Sequence, residues 1–356
     1  MSNSSFGRRD LLMGLGMASL GLTAACGKET NTIVQAGIGK EASAAAIDAD
    51  PWALLPAGPI AWGHLAAPEL FASRFGPTLL NLVTRRIPAL QDAGFDARRD
   101  ISEVNLGVYS IQGADVVGVA TGNFDPARIE ASVEKNPVTP FGIAMTKTRY
   151  GGRTLFMAES SGFTALTAHT ALFGNQMGMR RAIDRINSGK LERRLPAWLE
   201  AQLKGNNAPI VLGINLKENP FSEATHQQLP FLNGMQTLGV LANFQDPGVN
   251  LAGTATYPDA NAARTGADTM KQLNDYLQSM GWVMALFGIA QPLRSLTTEA
   301  AGSEVRFVAQ VDGVAADRLL GQLDMILPGG GTSSSTAPSS RTRQSEPRGL
   351  SGVALR

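Results

Sequence analysis

The sequence predicts an α+β fold, with two related lobes of antiparallel hairpins each covered by helices, and three observations carry that prediction. Apolar and polar residues alternate in short runs bounded by turn residues, which is the period of a strand with one buried face. Helix start signals follow those runs, each with a capping side chain and, in one case, a proline at the first helical position. The order strand, hairpin, helix then recurs once along the chain.

Taken in order, the stretch EVNLGVYSIQGADVVGVATGNFDPARIEASV from Glu103 reads as a strand, a turn at Gln112-Gly113, a second strand and a helix opening at Asp125-Pro126. A second stretch, TLGVLANFQDPGVNLAGTATYPDANAARTGADTM from Thr237, repeats that order. Leu106-Gly107-Val108 matches Leu238-Gly239-Val240, and Phe124-Asp125-Pro126 answers Tyr257-Pro258-Asp259. Each unit follows a strand with a shared opening: Pro59, Ile60, Gly63 and Leu65 against Pro209, Ile210, Gly213 and Leu216. Residues 150–174 read as a hairpin, with His169 in an alternating strand, and lead into a helix capped by Asn175 and stopped by Gly189. Glu304 to Val311 alternates, and Val314 to Ile326 has helical spacing. Lobe 1 is therefore expected over residues 57–200 and lobe 2 over 201–327. The Gly-, Ser- and Pro-rich tail 328–356 cannot bury enough apolar surface to order itself.

The single cysteine of the 356 residues, Cys26, ends the motif LTAAC at residues 22–26. Before it stand a short positive start with Arg8-Arg9 and 15 uncharged, apolar residues, LLMGLGMASLGLTAA. That run falls short of the roughly 20 residues of a spanning helix and has the build of an export signal. FGRRDLLMG resembles a twin-arginine signal, although the serine usual before the arginine pair and the phenylalanine usual after it are missing. LTAAC is similar to a bacterial lipobox, with Thr23 where leucine is commonest. The resemblance implies that residues 1–25 are removed and that Cys26 is acylated on sulfur to become the first residue of a membrane-attached chain. Gly27 stands where such lipoproteins often carry an aspartate that retains them in the inner membrane, so the outer membrane, facing the periplasm, is expected. Residues 26–56, poor in large apolar groups, read as a tether.

Charge excludes one class of partner. Removing residues 1–25 takes two of the 31 basic and one of the 30 acidic residues, which leaves a neutral chain. Neutrality argues against nucleic acid, whose binding is driven by phosphate neutralisation. Catalytic signatures are thin. Ser132-Val133-Glu134-Lys135 has the S-x-x-K spacing of penicillin-binding enzymes, but no S-D-N follows and Lys147-Thr148-Arg149 lacks the required glycine. The three histidines, His64, His169 and His226, have no acid at metal-ligand spacing, so neither metal nor cofactor is expected.

Two stretches are candidate surfaces. Residues 280–290, MGWVMALFGIA, are apolar throughout: either a buried helix joining the lobes or a lining for an apolar ligand formed by Met280, Trp282, Met284 and Phe287. Arg180, Arg181, Arg185, Lys190, Arg193 and Arg194 outnumber Asp184 and Glu192, either as a solvated face or to meet anionic head groups. The reading is a lipid-anchored envelope protein with a non-catalytic binding or assembly role. A carrier of lipid or another apolar ligand, and an envelope hydrolase with a dispersed active site, are the alternatives.

Overall fold

The computed structural model describes residues 40–86, 93–110, 115–139, 143–220, 223–245, 248–279 and 293–326. Two short helices, α1 (Ala44–Ala49) and α2 (Pro51–Leu54), lead into β1 (Ala61–Ala66). Helices α3 (Ala67–Ala72), α4 (Gly76–Arg86) and α5 (Ala97–Asp100) separate β1 from β2 (Ile101–Ser110). Then come β3 (Asp115–Gly122), α6 (Pro126–Lys135), β4 (Met145–Tyr150), β5 (Arg153–Ala158), β6 (Ser161–Ala165), β7 (Thr170–Asn175), α7 (Gln176–Asn187) and α8 (Ala197–Gly205). The remainder opens with β8 (Ile210–Asn215), α9 (Glu223–Gln228), a 3-10 turn (Pro230–Leu232), β9 (Thr237–Gln245) and β10 (Gly248–Thr256). It closes with α10 (Ala260–Ser279), β11 (Leu293–Ala301), β12 (Glu304–Asp312) and α11 (Gly313–Ile326).

The helix starts follow the local chemistry. The Asp125 side chain accepts from Arg128 N–H at 3.0 Å with Pro126 behind it, and Asn175 accepts from Gly178 N–H at 2.8 Å. Asp259 accepts from Asn261 and Ala262 at the start of α10. Just past the end of α7, Gly189 takes a positive φ of 66°, which costs glycine nothing.

All strand pairs are antiparallel, and the hairpins join into one sheet of 12 strands in the order β11-β12-β10-β9-β8-β1-β2-β3-β7-β6-β5-β4. Its two halves meet at β1 and β8, where Ala61 pairs with Ile214 and Leu65 with Ile210. Residues 150–174 supply the last residue of β4 and then β5, β6 and nearly all of β7, one strand more than the expected hairpin needs. His169 lies exposed between β6 and β7 rather than within a strand, and its ring meets the Gly122 carbonyl at 3.2 Å.

Cross-strand partners share a face, so the register sorts every side chain. The front face carries Trp62, Val117, Val119, Leu155, Leu172 and Val211. Helix α7 covers them with Met179, Ala182, Ile183 and Ile186, all fully buried. The back face holds two separate clusters. Ile129 and Val133 of α6 pack on Met145, Phe156 and Phe163, while Ala263, Ala267 and Met270 of α10 pack on Ala255 and Val305.

One expectation needs correcting. Of the segment read as a tether, residues 41–56 join the front core: Ile47, Trp52, Leu54 and Leu55 are each buried. Polar ties hold the same segment. Asp48 accepts from the hydroxyls of Thr167 (2.5 Å) and Thr170 (2.6 Å), and the Pro56 carbonyl accepts from Tyr109 at 2.7 Å. The low average content of large apolar groups hid four that fall on one surface. A second correction concerns Gly63 and Gly213. Gly63 is paired with Leu212, so Gly213 lies on the opposite face, against Trp198 and Leu199 of α8, and the two glycines do not correspond.

Two close approaches depend on glycine. A Cβ on Gly118 of β3 would collide with the ring of Phe173 on β7, and one on Gly253 of β10 would collide with Phe307 on β12. Gly118→Ala and Gly253→Ala are each expected to cost about 1 to 3 kcal/mol by overpacking, read from urea midpoints.

Helix α11 is tied to the sheet by Asp312, whose carboxylate accepts from Val314 N–H at 2.8 Å and from Arg294 at 2.5 Å. Burial alone would raise this carboxyl, but the bonds from Arg294 and the two helix N–H groups outweigh it and hold it below the usual carboxylate range. A lowered folded value stabilises above the unfolded pKa of about 4 and loses that stabilisation as pH falls through the folded value. Asp312→Ala should therefore cost about 1 to 3 kcal/mol at pH 7, and its gap to wild type should shrink in unfolding curves taken below pH 4.

Candidate functional site

Between the two back-face clusters the centre of the sheet carries an apolar strip. It runs over β2, β1, β8 and β9 through Val104, Leu106, Val108, Leu65, Leu212 and Val240. Alternation places them together, because each pairs across or stands two positions from another on the same face. All are half-buried except Leu212, which is 41% exposed in the middle of a 12-stranded sheet. At the centre sits Gly63, where an added Cβ would stand 3.5 Å from both Leu106 and Leu212. The missing side chain deepens the strip between two leucines. Helix α6 packs on the outer strands of its half, and the α10 cluster reaches inward to Ile214 of β8 and Leu238 of β9, beside the strip. A non-directional, uncharged strip of this kind suits apolar matter and offers no group for proton transfer or metal binding.

Polar groups elsewhere are mostly occupied with one another. His64 meets the Asn105 side chain at 2.9 Å, and Asn105 in turn donates to Glu103 at 3.1 Å. The Trp52 ring lies 6.5 Å from that of His64. Tyr257 donates to the Phe231 carbonyl at 2.7 Å, and burial pushes its phenol up to about 12. The arginine-rich stretch becomes a set of ties. Arg181 bonds Asp115 at 2.6 Å and lies over the Tyr109 ring, Arg193 bonds Asp50 at 2.8 Å, and Arg185 donates to the Ala53 carbonyl at 3.0 Å. Arg180 lies over Tyr150, and Arg194 pairs with Glu192. Arg181, Arg185 and Arg193 fasten α7 and the segment after it to residues 50–56 and the sheet, and the sequence could not reveal that because their partners are far along the chain.

Ser132 and Lys135 of α6 line a depression of about 420 Å³ together with Gly94 and Arg128. Among the described residues its lining contains neither a histidine nor a carboxylate to act as a general base. Lys147, from the second half of the motif considered above, pairs with Glu130 and Glu134 instead. Among the described residues no group of three or more His, Cys, Asp or Glu could hold a metal ion. Among them, too, no helix is long and apolar enough to cross a membrane. Arg8, Arg9 and Cys26 lie outside the described residues, as do Met280, Trp282, Met284 and Phe287. The strip itself was legible only in part: the alternation of each strand was visible, but not that β1 and β8 would lie side by side.

No protein-family model matches the chain, and no curated protein matches it. Among solved structures the chain is similar to TP0453. Crystal form I is 10% identical, with 77% of this chain and 96% of that chain covered at a TM-score of 0.47. Crystal form IV is 14% identical, with 79% and 99% covered at a TM-score of 0.47.

If the strip is open, its leucine contributes little to folding. Leu212→Ala should change stability by less than about 0.5 kcal/mol, as at ordinary surface positions. Leu172→Ala, on the buried front face, should cost about 2 to 5 kcal/mol. Denaturant unfolding of the two variants side by side checks the contrast.

Proposed function

We propose that this chain is a lipid-anchored cell-envelope protein with a non-catalytic binding role, and that the matter bound is apolar. The observation that carries the binding role is Leu212: a large apolar side chain left exposed at the centre of a broad sheet, between half-buried Leu106 and Val240. Exposed apolar surface costs about 25 cal/mol per Å², so a leucine that stays exposed within an apolar strip marks a place for something else to cover it. An acyl chain of a lipid matches it in chemistry. The carrier reading is thereby favoured over a pure assembly module, and the depression at Ser132, whose described lining holds neither histidine nor carboxylate, gives the hydrolase reading no support.

Location rests on the signal. Arg8 and Arg9 direct export by the twin-arginine route, Cys26 is acylated after residues 1–25 are removed, and Gly27 favours the outer membrane, facing the periplasm. Several acyl chains, at about 0.8 kcal/mol per buried methylene, attach far more firmly than the marginal hold of one. We further infer that the two halves of the sheet descend from one unit. Each half runs as a lone strand, a hairpin, a helix, then further hairpin strands and a closing helix, and in each a phenylalanine ring lies over a glycine two strands in from β1 or β8.

Two tests address the parts separately. Cys26→Ser should abolish incorporation of radioactive palmitate and release the protein from membranes, and equal labelling of the variant would end the anchor reading. Leu212→Glu should abolish co-purification of lipid, seen by mass spectrometry of the extracted protein, while leaving the fold intact by circular dichroism. Undiminished lipid in that variant would remove the strip from the proposal.

A further inference from the structure

We infer that the β11 edge of the sheet is a dimerisation surface, whose occupant is the same strand of a second copy of this chain. The inference is independent of the apolar strip, which lies at the other end of its half-sheet.

The two edges of the sheet are unlike. At one end β4 has six residues and carries Lys147 and Arg149, the former in ion pairs with Glu130 and Glu134. Short, charged strands blunt an edge against pairing. At the other end β11 spans the nine residues Leu293–Ala301, and among the described residues no strand pairs with its outer side. From Ser295 to Ala301 it carries one charge, Glu299. Beside it the front face of the sheet is open, with Val308 of β12 57% exposed and Ser295, Thr297 and Glu299 all exposed. From Ser295 to Ala301, where among the described residues no strand lies alongside, the row of backbone N–H and C=O groups is a template for another strand.

The sequence of β11 fits itself. A two-fold axis through Thr297 pairs the strand antiparallel with its copy, so that Thr297 meets the partner's Thr297 and Ser295 meets the partner's Glu299. Arg294, one residue further, then stands diagonally opposite the partner's Glu299. Its guanidinium bonds Asp312 in its own sheet at 2.5 Å, and its side chain remains 41% exposed. The symmetry makes this contact twice, and no like charges face each other. Moving the axis to Glu299 would oppose two carboxylates directly, and moving it to Thr298 would take Arg294 out of reach. The pairing keeps Leu296 and Ala300 on the back face, where they already pack on the α10 cluster.

The test places a cysteine on the axis of the full chain. Residues directly opposite in an antiparallel pair lie about 4.5 to 5.5 Å apart at Cα, inside the 4.4 to 6.8 Å that a disulfide spans. Thr297→Cys, made in cells and treated with a mild oxidant, should give a band of twice the chain mass on non-reducing electrophoresis. Its yield should exceed by at least tenfold that of wild type, which carries only Cys26, and that of Arg306→Cys on the next strand. Adding Glu299→Lys, which sets a lysine against the partner's Arg294, should cut the Thr297→Cys product about tenfold. Absence of the dimer at position 297, equal product at position 306, indifference to Glu299→Lys, or a product of another mass would each overturn the inference.

Discussion

The structure depends on one long-range contact, the ladder between β1 and β8. Strand β1 is flanked on both sides, by β2 through Trp62 and Gly107 and by β8 through Trp62 and Gly213. Without the second pairing the two runs of hairpins would be separate sheets, each with an exposed edge. Closing so long a loop costs chain entropy that grows only with the logarithm of its length. The ladder and the burial of Trp62 and Val211 on the front face offset that cost. Helix α8 follows the junction. It sets Trp198 edge-on to Trp62 at 6.2 Å and lays Leu199 over Gly213.

Joining the halves this way creates the site. Each half brings its own helix to the back face, α6 over the outer strands of one and α10 over the outer strands of the other. The α10 cluster extends to Ile214 of β8 and Leu238 of β9, and Phe75 packs on Phe244 of β9, but among the described residues Leu212 between them stays exposed. The front face is different: there α7, α8 and residues 41–56 cover the first half and the seam. The asymmetry of cover, a buried apolar core in front and a half-buried apolar strip behind, is what sets the two faces of the sheet apart.

The front cover is fastened by charge as well as by burial. Asp48, Asp50 and the Ala53 and Pro56 carbonyls each receive bonds from side chains more than 50 residues away. Exposed ion pairs contribute little to stability, but a bidentate arginine such as Arg193 on Asp50 fixes orientation. Their role is to set where residues 41–56 lie, so that Ile47 and Trp52 meet the core at a single place.

What was legible in the sequence was local. Alternation marked the strands from Glu103 and Thr237, and Asp125 and Asn175 announced their helices, because a cap or a pleat is decided by neighbours a few residues apart. The antiparallel α+β character followed from those elements alone. The recruitment of residues 41–56, the partners of the arginine-rich stretch and the opposite facing of Gly63 and Gly213 were not legible. A one-residue difference in register moves a side chain to the other face, and no local pattern sets the register between strands as distant as β1 and β8. The tertiary structure alone decided which apolar residues were spent on the core and that Leu212 was not, because that choice is made by packing across the sheet and not along the chain.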